Sequence, residues 1–221
     1  MPCIEKLKSE LEEYGALVVS GPTSSDIEST VAYYDRNSQA FCDRTLGIDM
    51  SHLHHDFLRS LAPGATILDL GCGVGRDTKA FLDAGYTVTA LDASAEMVRI
   101  ASEVTRQPAT QMRFEEMEFV EEFDGVWACA SLLHVARAEL PTVLARVARS
   151  MRGGGVLHIS VKHGEHEEFR DGRWFCDHTV DSLHDVLCCV SGMVPVRYWV
   201  TTDARRKHTR WVHGEARRAV H

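Results

Sequence analysis

The strongest constraint on this chain lies in residues 66–94. An apolar run, Ile67-Leu68-Asp69-Leu70, gives way to a glycine turn, Gly71-Cys72-Gly73-Val74-Gly75. Arg76-Asp77-Thr78-Lys79-Ala80-Phe81-Leu82 follows with helical spacing. After Gly85 a second run, Tyr86-Thr87-Val88-Thr89-Ala90-Leu91, ends on Asp92. Strand, glycine turn, helix, then a strand closed by an acid is the pattern of a nucleotide-type site at the carboxyl edge of a parallel sheet. The fold class that follows is α/β.

Each part has a physical reason. Glycines at 71, 73 and 75 let the backbone turn sharply and let a ligand approach with no Cβ in the way. The helix after them points free N–H groups at whatever sits there. Asp92 can accept hydrogen bonds from a ribose diol. Two ligand classes fit, dinucleotides and S-adenosylmethionine. The dinucleotide fingerprint needs a glycine where this chain has Arg76, and Asp69 would repel a pyrophosphate while suiting a cationic sulfonium ligand. The pattern favours S-adenosylmethionine.

Leu68-Asp69-Leu70-Gly71-Cys72-Gly73-Val74-Gly75 resembles motif I of the class I S-adenosylmethionine-dependent methyltransferases, and Leu91-Asp92-Ala93-Ser94 resembles their motif after the second strand. The resemblance runs over roughly residues 30–215. It implies a Rossmann-like sandwich: a mostly parallel seven-stranded sheet with an antiparallel last strand, plus an N-terminal helical cap. Residues 1–62 are then extension and cap, and residues 63–221 the cofactor-binding domain. The implied cofactor is S-adenosylmethionine, with S-adenosylhomocysteine as product. Asp69 and the turn (Gly71, Cys72, Gly73, Gly75) are expected at its methionine end, Asp92 with Ala93 at the ribose, and Met97 near the adenine. Glu116 and Met117 match the adenine loop, and Cys129 the strand tip beside the methyl group. Tyr33 and Tyr34 resemble the cap tyrosines that wall the acceptor pocket. His134, near the reacting methyl by the same resemblance, is the best general-base candidate because an imidazole titrates near neutrality; the second reading is that it orients its loop or caps the next helix. The series Trp127…Ser131-Leu132-Leu133-His134…Lys162-x-Gly164…Arg173-x-Phe175 is similar to small bacterial methyltransferases near the tellurite-resistance type.

Composition narrows the setting. No apolar run reaches the eighteen or so residues of a membrane span, and the N-terminus lacks a signal-peptide core. Seven cysteines, with Cys188 and Cys189 adjacent and no C-x-x-C pair, suggest reduced thiols in a cytoplasmic protein. A net charge of −8 argues against non-specific nucleic-acid binding. Six basic residues after Thr201, against Asp203 and Glu215, keep open an RNA (tRNA) methyltransferase. A nicotinamide oxidoreductase and a catalytically inert cofactor-binding subunit also stay open beside a small-molecule methyltransferase. The expected partner is a small-molecule acceptor, for a monomer or a homodimer.

Elsewhere the pattern predicts an amphipathic helix over residues 3–14, an apolar piece at 16–19 and a helix from Asp26 capped by Ser25 or Asp26. A helix over 49–58 carries His52, His54, His55 and Asp56, which do not share one face, so no metal site is expected. Further expectations are a strand at 112–114, a helix over 139–151 stopped by Gly153-Gly154-Gly155, and a strand from Val156. Lys162 and His163 are then pocket candidates, residues 165–168 a solvated lid that Arg173-Trp174-Phe175 closes, and 194–200 with 208–214 an antiparallel pair.

Overall fold

The computed structural model describes residues 23–203 and 205–220. The elements expected at residues 3–14 and 16–19 lie outside them. Helix α1 (Ser24–Thr45) and helix α2 (Ser51–Leu58) precede β1 (Thr66–Leu70), α3 (Arg76–Asp83), β2 (Thr87–Asp92), α4 (Ala95–Thr105), β3 (Thr110–Gln111) and β4 (Phe123–Cys129). Helix α5 (Leu140–Ser150), β5 (Met151–Lys162), a hairpin of β6 (Glu167–Arg170) and β7 (Arg173–Cys176), α6 (Val180–Cys188), β8 (Met193–Thr202) and β9 (Arg210–Arg218) complete the chain.

Seven strands form one sheet in the order β3-β2-β1-β4-β5-β9-β8. The first five are mutually parallel, and β9, the last in sequence, runs antiparallel to both its neighbours. Parallel strands need crossovers, which cover both faces with helices and bury the central strands twice. In β1 and β4 that burial alternates. Leu68, Leu70, Val126 and Ala128 join Leu140, Leu144 and Val147 of α5 on one side. Ile67 and Trp127 join Phe57 of α2 and Phe81 of α3 on the other.

Four expectations are corrected. Helix α1 is capped by Thr23, whose hydroxyl accepts from the Asp26 backbone while the Asp26 carboxylate bonds back, a capping box that leaves Ser25 and Asp26 inside the helix. The third strand is Thr110–Gln111, and residues 114–116 form a 3-10 turn instead. The glycine run does not stop α5, because β5 already starts at Met151. Its pairing jumps from Phe123↔Met151 to Gly125↔Val156, and Gly154 at φ 81° makes the bulge that absorbs the difference. Residues 167–170 are strand rather than lid. Asp171 and Gly172, at φ 51° and 76°, both adopt the left-handed conformation that a two-residue hairpin turn demands.

Two histidines of the sheet are stacked on tryptophans, His158 on Trp127 with ring centroids 4.1 Å apart and His213 on Trp199 at 5.0 Å. Burial pushes His158 well below the ordinary 6.5 and His213 down to about 4. Unfolded chains take up protons below about 6.5 that the folded protein refuses, so this stability is complete above that pH and is lost as the pH falls. Asp69 and Asp92, raised by burial, act in the opposite sense. A variant therefore isolates the histidine share: the urea stability of His158→Phe should fall less steeply between pH 6 and 5 than the wild type, by about 1.4 kcal/mol per pH unit. Parallel slopes would show that His158 is not held neutral.

Candidate active site

The glycine turn follows β1 directly. Gly71 and Cys72 donate their backbone N–H groups to the Leu91 carbonyl, each at 2.9 Å, which ties the turn to the end of β2. Gly71 has φ 79°, and a Cβ there would collide with Cβ of Ser131 at the tip of β4. Gly75, at φ 80°, has no room either, since a Cβ would meet the Ala101 backbone of α4 at 3.0 Å. Close packing of the turn between β4 and α4 thus requires glycine at both positions. Asp92 accepts from the Gly73 N–H and the Ser94 N–H, both at 2.9 Å. Burial raises its carboxyl and these two donors pull it back down.

A cavity of about 1030 Å³ opens above the carboxyl ends of the strands. Gly71, Cys72, Gly73, Asp92, Ala93 and Met97 line it at the β1–β2 side, and Tyr33, Tyr34, Cys129 and His134 line it as well. Four expected residues are not on its wall. Asp69 lies inside β1 on the face that α3 covers, where it accepts the Thr78 hydroxyl at 2.5 Å. Gly75 is taken up by packing on α4. Because residues 114–116 turn instead of extending, the Glu116 carboxylate bends back to accept from the Arg113 N–H at 2.8 Å, and Met117 is buried in the core. Phe114 and Glu115 face the cavity in their place.

Helix α1 roofs the site. Asp35 accepts from the Ser94 hydroxyl at 2.5 Å and from the Glu96 N–H at 3.2 Å, which docks α1 on the start of α4. Thr30 accepts the Trp174 N–H of β7 at 2.9 Å. Between these anchors the Tyr34 hydroxyl lies 2.8 Å from Nε2 of His134, and Nδ1 of His134 lies 2.6 Å from the Trp174 carbonyl. A carbonyl only accepts, so Nδ1 carries the hydrogen and Nε2 accepts from the tyrosine. Burial pushes His134 down to about 3, with the neighbouring cations Arg173 and Lys162 adding to it. Burial raises Tyr34. Both groups are neutral at pH 7, and the imidazole lone pair is already used.

Comparison with known proteins agrees with this fold. Residues 67–155 match the family model of a methyltransferase domain. An uncharacterized methyltransferase of Synechocystis is 32% identical over 106 residues, which is 47% of this chain and 50% of the relative. The malonyl-[acyl-carrier protein] O-methyltransferase of Serratia marcescens is 34% identical over 120 residues, 53% of this chain and 42% of that one. The chain thus spans about half or less of the length of these curated relatives. Among solved structures, the 1,6-didemethyltoxoflavin-N1-methyltransferase of Burkholderia thailandensis superposes with a TM-score of 0.73 at 21% identity, over 93% of this chain and 98% of that one. Its crystals hold 1,6-didemethyltoxoflavin and S-adenosylhomocysteine. The magnesium protoporphyrin IX methyltransferase of Synechocystis, solved with S-adenosylmethionine, gives a TM-score of 0.66 at 19% identity over 88% and 97% of the two chains.

Residues 67–155 carry a methyltransferase domain, in a fold shared with solved S-adenosylmethionine-dependent methyltransferases.

Beneath the turn of this methyltransferase domain sits Asp77. Burial alone would raise its carboxyl; Arg76, bonded through two nitrogens at 2.7 Å each, and His54 outweigh burial and hold it well below the usual range. The indole N–H of Trp127 donates to it at 2.9 Å. Of the His52, His54, His55 series, His54 bonds Asp77 and His52 lines the cavity. Cys129 is pushed up to about 12 by burial and then by the Asp77 charge, so its thiol stays protonated.

Two site residues have no signal in the sequence. Asp35 and Thr30 act across long sequence separations, with no local pattern to mark them. Ser131 follows Ala130, a non-glycine residue at φ 54°, and its buried hydroxyl has no partner.

The tautomer of His134 is directly measurable. Two-bond ¹H–¹⁵N spectra of the protein should show a protonated Nδ1 and a bare Nε2, unchanged from pH 8 to about 5. A titration midpoint near 6.5 would mean that the Tyr34 bond and the burial do not hold.

Proposed function

We propose that the protein is a methyltransferase that moves the methyl group of S-adenosylmethionine to an oxygen, nitrogen or sulfur atom of a small-molecule acceptor and releases S-adenosylhomocysteine. The observation that carries this is one continuous cavity. It joins the glycine turn and Asp92 at one side to the Tyr34–His134 pair at the other, within a domain of the methyltransferase family. Its volume suits a cofactor with a small acceptor beside it.

The residues present fit the cofactor. Each Asp92 oxygen accepts one backbone N–H and keeps lone-pair capacity for a ribose hydroxyl. Phe114 and Met97 supply an apolar wall for a flat base. Arg76, where a dinucleotide site needs glycine, is locked to Asp77, which also disfavours a pyrophosphate there. The roof formed by α1 and the β6–β7 hairpin supports a small acceptor over RNA, and the Burkholderia neighbour with its small heterocycle points the same way.

When bound, S-adenosylmethionine supplies a methyl group on a sulfonium that is already a good leaving group. The chain's own task is alignment, worth on the order of 7–11 kcal/mol in favourable cases. Protonating an imidazole held at about 3 costs about 5 kcal/mol at pH 7. A general base gains about 10²–10⁴-fold, roughly 3–5 kcal/mol. The cost cancels the gain, so Tyr34 and His134 are positioning residues in this reading, and the acceptor presents a lone pair that is already free.

Thermal shift with S-adenosylmethionine, S-adenosylhomocysteine and NADH tests the proposal. The two adenosyl ligands should each stabilise by about 2.7 kcal/mol at a hundred times their dissociation constants, and NADH should not. Stabilisation by NADH alone would sink it. Asp92→Ala should weaken S-adenosylhomocysteine binding by roughly 1.5–3 kcal/mol; an unchanged constant removes Asp92 from the ribose site.

A further inference from the structure

Three cations surround the ring of Phe175. Lys162 Nζ lies 3.8 Å from the ring centroid, and the guanidinium carbons of Arg170 and Arg173 lie 4.5 Å and 4.9 Å from it. Arg170 is neutralised, with Asp177 at 2.6 and 2.7 Å and Glu168 at 3.0 Å. The remaining two are not: among the described residues neither Lys162 nor Arg173 makes an ion pair with a carboxylate. Arg173 rests on Tyr33, 4.3 Å from its ring centroid, and donates to the Tyr34 hydroxyl at 3.3 Å. Its Nε is buried with no hydrogen-bond partner. Lys162 and Arg173 line the cavity, whereas the paired Arg170 does not.

Burying like charges together without a counter-ion is costly. The cost shows on Lys162, whose ammonium is lowered by burial and by Arg170 and Arg173, more than Asp177 and Asp171 raise it. Cations left uncompensated at a cavity wall, with an unused donor among them, are arranged for an anion that arrives with a ligand. Position says which ligand. Lys162 ends β5, and β1 and β4 stand between it and Asp92 at the end of β2. Tyr34 and His134 lie next to Arg173.

The geometry points to an anionic acceptor: Lys162 and Arg173 form the subsite for a carboxylate or phosphate group of the molecule that is methylated. This rests on the methyltransferase reading above. The two cations would hold the acceptor's charged group while Tyr34 and His134 fix the orientation of the part that faces the methyl donor.

The test uses the full 221-residue chain, saturated with S-adenosylhomocysteine and titrated with sodium phosphate or sodium malonate against sodium chloride at equal ionic strength. At about five times its dissociation constant, phosphate or malonate should raise the melting temperature by about 2–4 °C beyond chloride. A rise with phosphate alone assigns a phosphate subsite, and with malonate alone a carboxylate subsite. Lys162→Met should abolish the rise while keeping its S-adenosylhomocysteine constant within about threefold of wild type by calorimetry. Arg173→Met should do the same if it folds; Lys162→Met, at a half-buried position, decides alone if it does not. No rise beyond chloride, or an undiminished rise in Lys162→Met, overturns the inference. So does a tenfold or larger loss of S-adenosylhomocysteine affinity in Lys162→Met, which would give the cation to the cofactor's own carboxylate. Failure of S-adenosylhomocysteine to bind the wild type is seen before any anion is added, and strikes the cofactor reading instead.

Discussion

The site rests on the buried carboxylate of Asp77. It receives two hydrogen bonds from Arg76, one from His54 and one from the Trp127 indole. Those partners come from α2, from α3 and from β4, so one charge fixes the helix after the glycine turn to the strand whose tip closes the cavity. A buried carboxylate is tolerable only with such a set of donors, and removing one partner leaves a charge uncompensated. The network also explains why Trp127 and Phe81 pack as they do. The indole must present its N–H to Asp77, and its ring then meets Phe57, Phe81 and His158. Packing and electrostatics here are one constraint.

That constraint makes the glycine turn rigid, and rigidity lets neighbours be chosen to fit it. Gly71 is pressed against Ser131 and Gly75 against Ala101. The turn therefore presents the Gly73 N–H at one fixed place, where Asp92 receives it. Helix α1 is added to this frame by apolar packing of Tyr34, Phe41 and Cys42 on Val74, Met97 and Ile100, and by polar contacts at its middle. Asp35 borrows the start of α4, Thr30 borrows a strand N–H of the hairpin, and Tyr34 reaches His134. Gly172 is needed for the same docking, because a Cβ there would stand 3.0 Å from the Tyr33 ring.

What is legible in the sequence is local. The order strand, glycine turn, helix, strand depends on residues within about thirty positions of one another, and periodicity reports it directly. Tyr34 and His134 each stand out as candidates, yet their mutual hydrogen bond joins residues far apart in the chain, and no pattern carries that. Asp69 looks like a ligand residue because the motif puts an acid before the turn. Strand alternation instead turns it under α3 to Thr78. The hairpin has its own local signal, since Asp171-Gly172 is a strong two-residue turn pair, but the acid-rich stretch before it has the composition of a solvated loop. The glycine run at 153–155 looks like a helix stop because glycine ends helices. Glycine also makes bulges, and only pairing with β4 separates the two.

Charge gives the cavity a direction. At the β2 side stand Asp92 and, behind Ser94, Asp35, and among the described residues their hydrogen bonds come from backbone N–H groups and a serine hydroxyl rather than from cations. At the β5 side stand Lys162 and Arg173, and among the described residues neither makes an ion pair, the nearby Asp177 being bonded to Arg170. A neutral tyrosine and a neutral histidine lie by the basic side. In the proposed reading a donor with a neutral ribose and a cationic sulfonium meets an acceptor that brings the negative charge. In that reading the unpaired cations at the β5 side favour an acceptor seated with its negative charge there, which leaves its other end to face the methyl donor as an in-line transfer needs. Neutrality of the Tyr34–His134 pair matters for the same reason. A charged imidazole beside Arg173 would add to the basic side and repel the sulfonium, so burial that suppresses the base also protects the approach of the methyl donor.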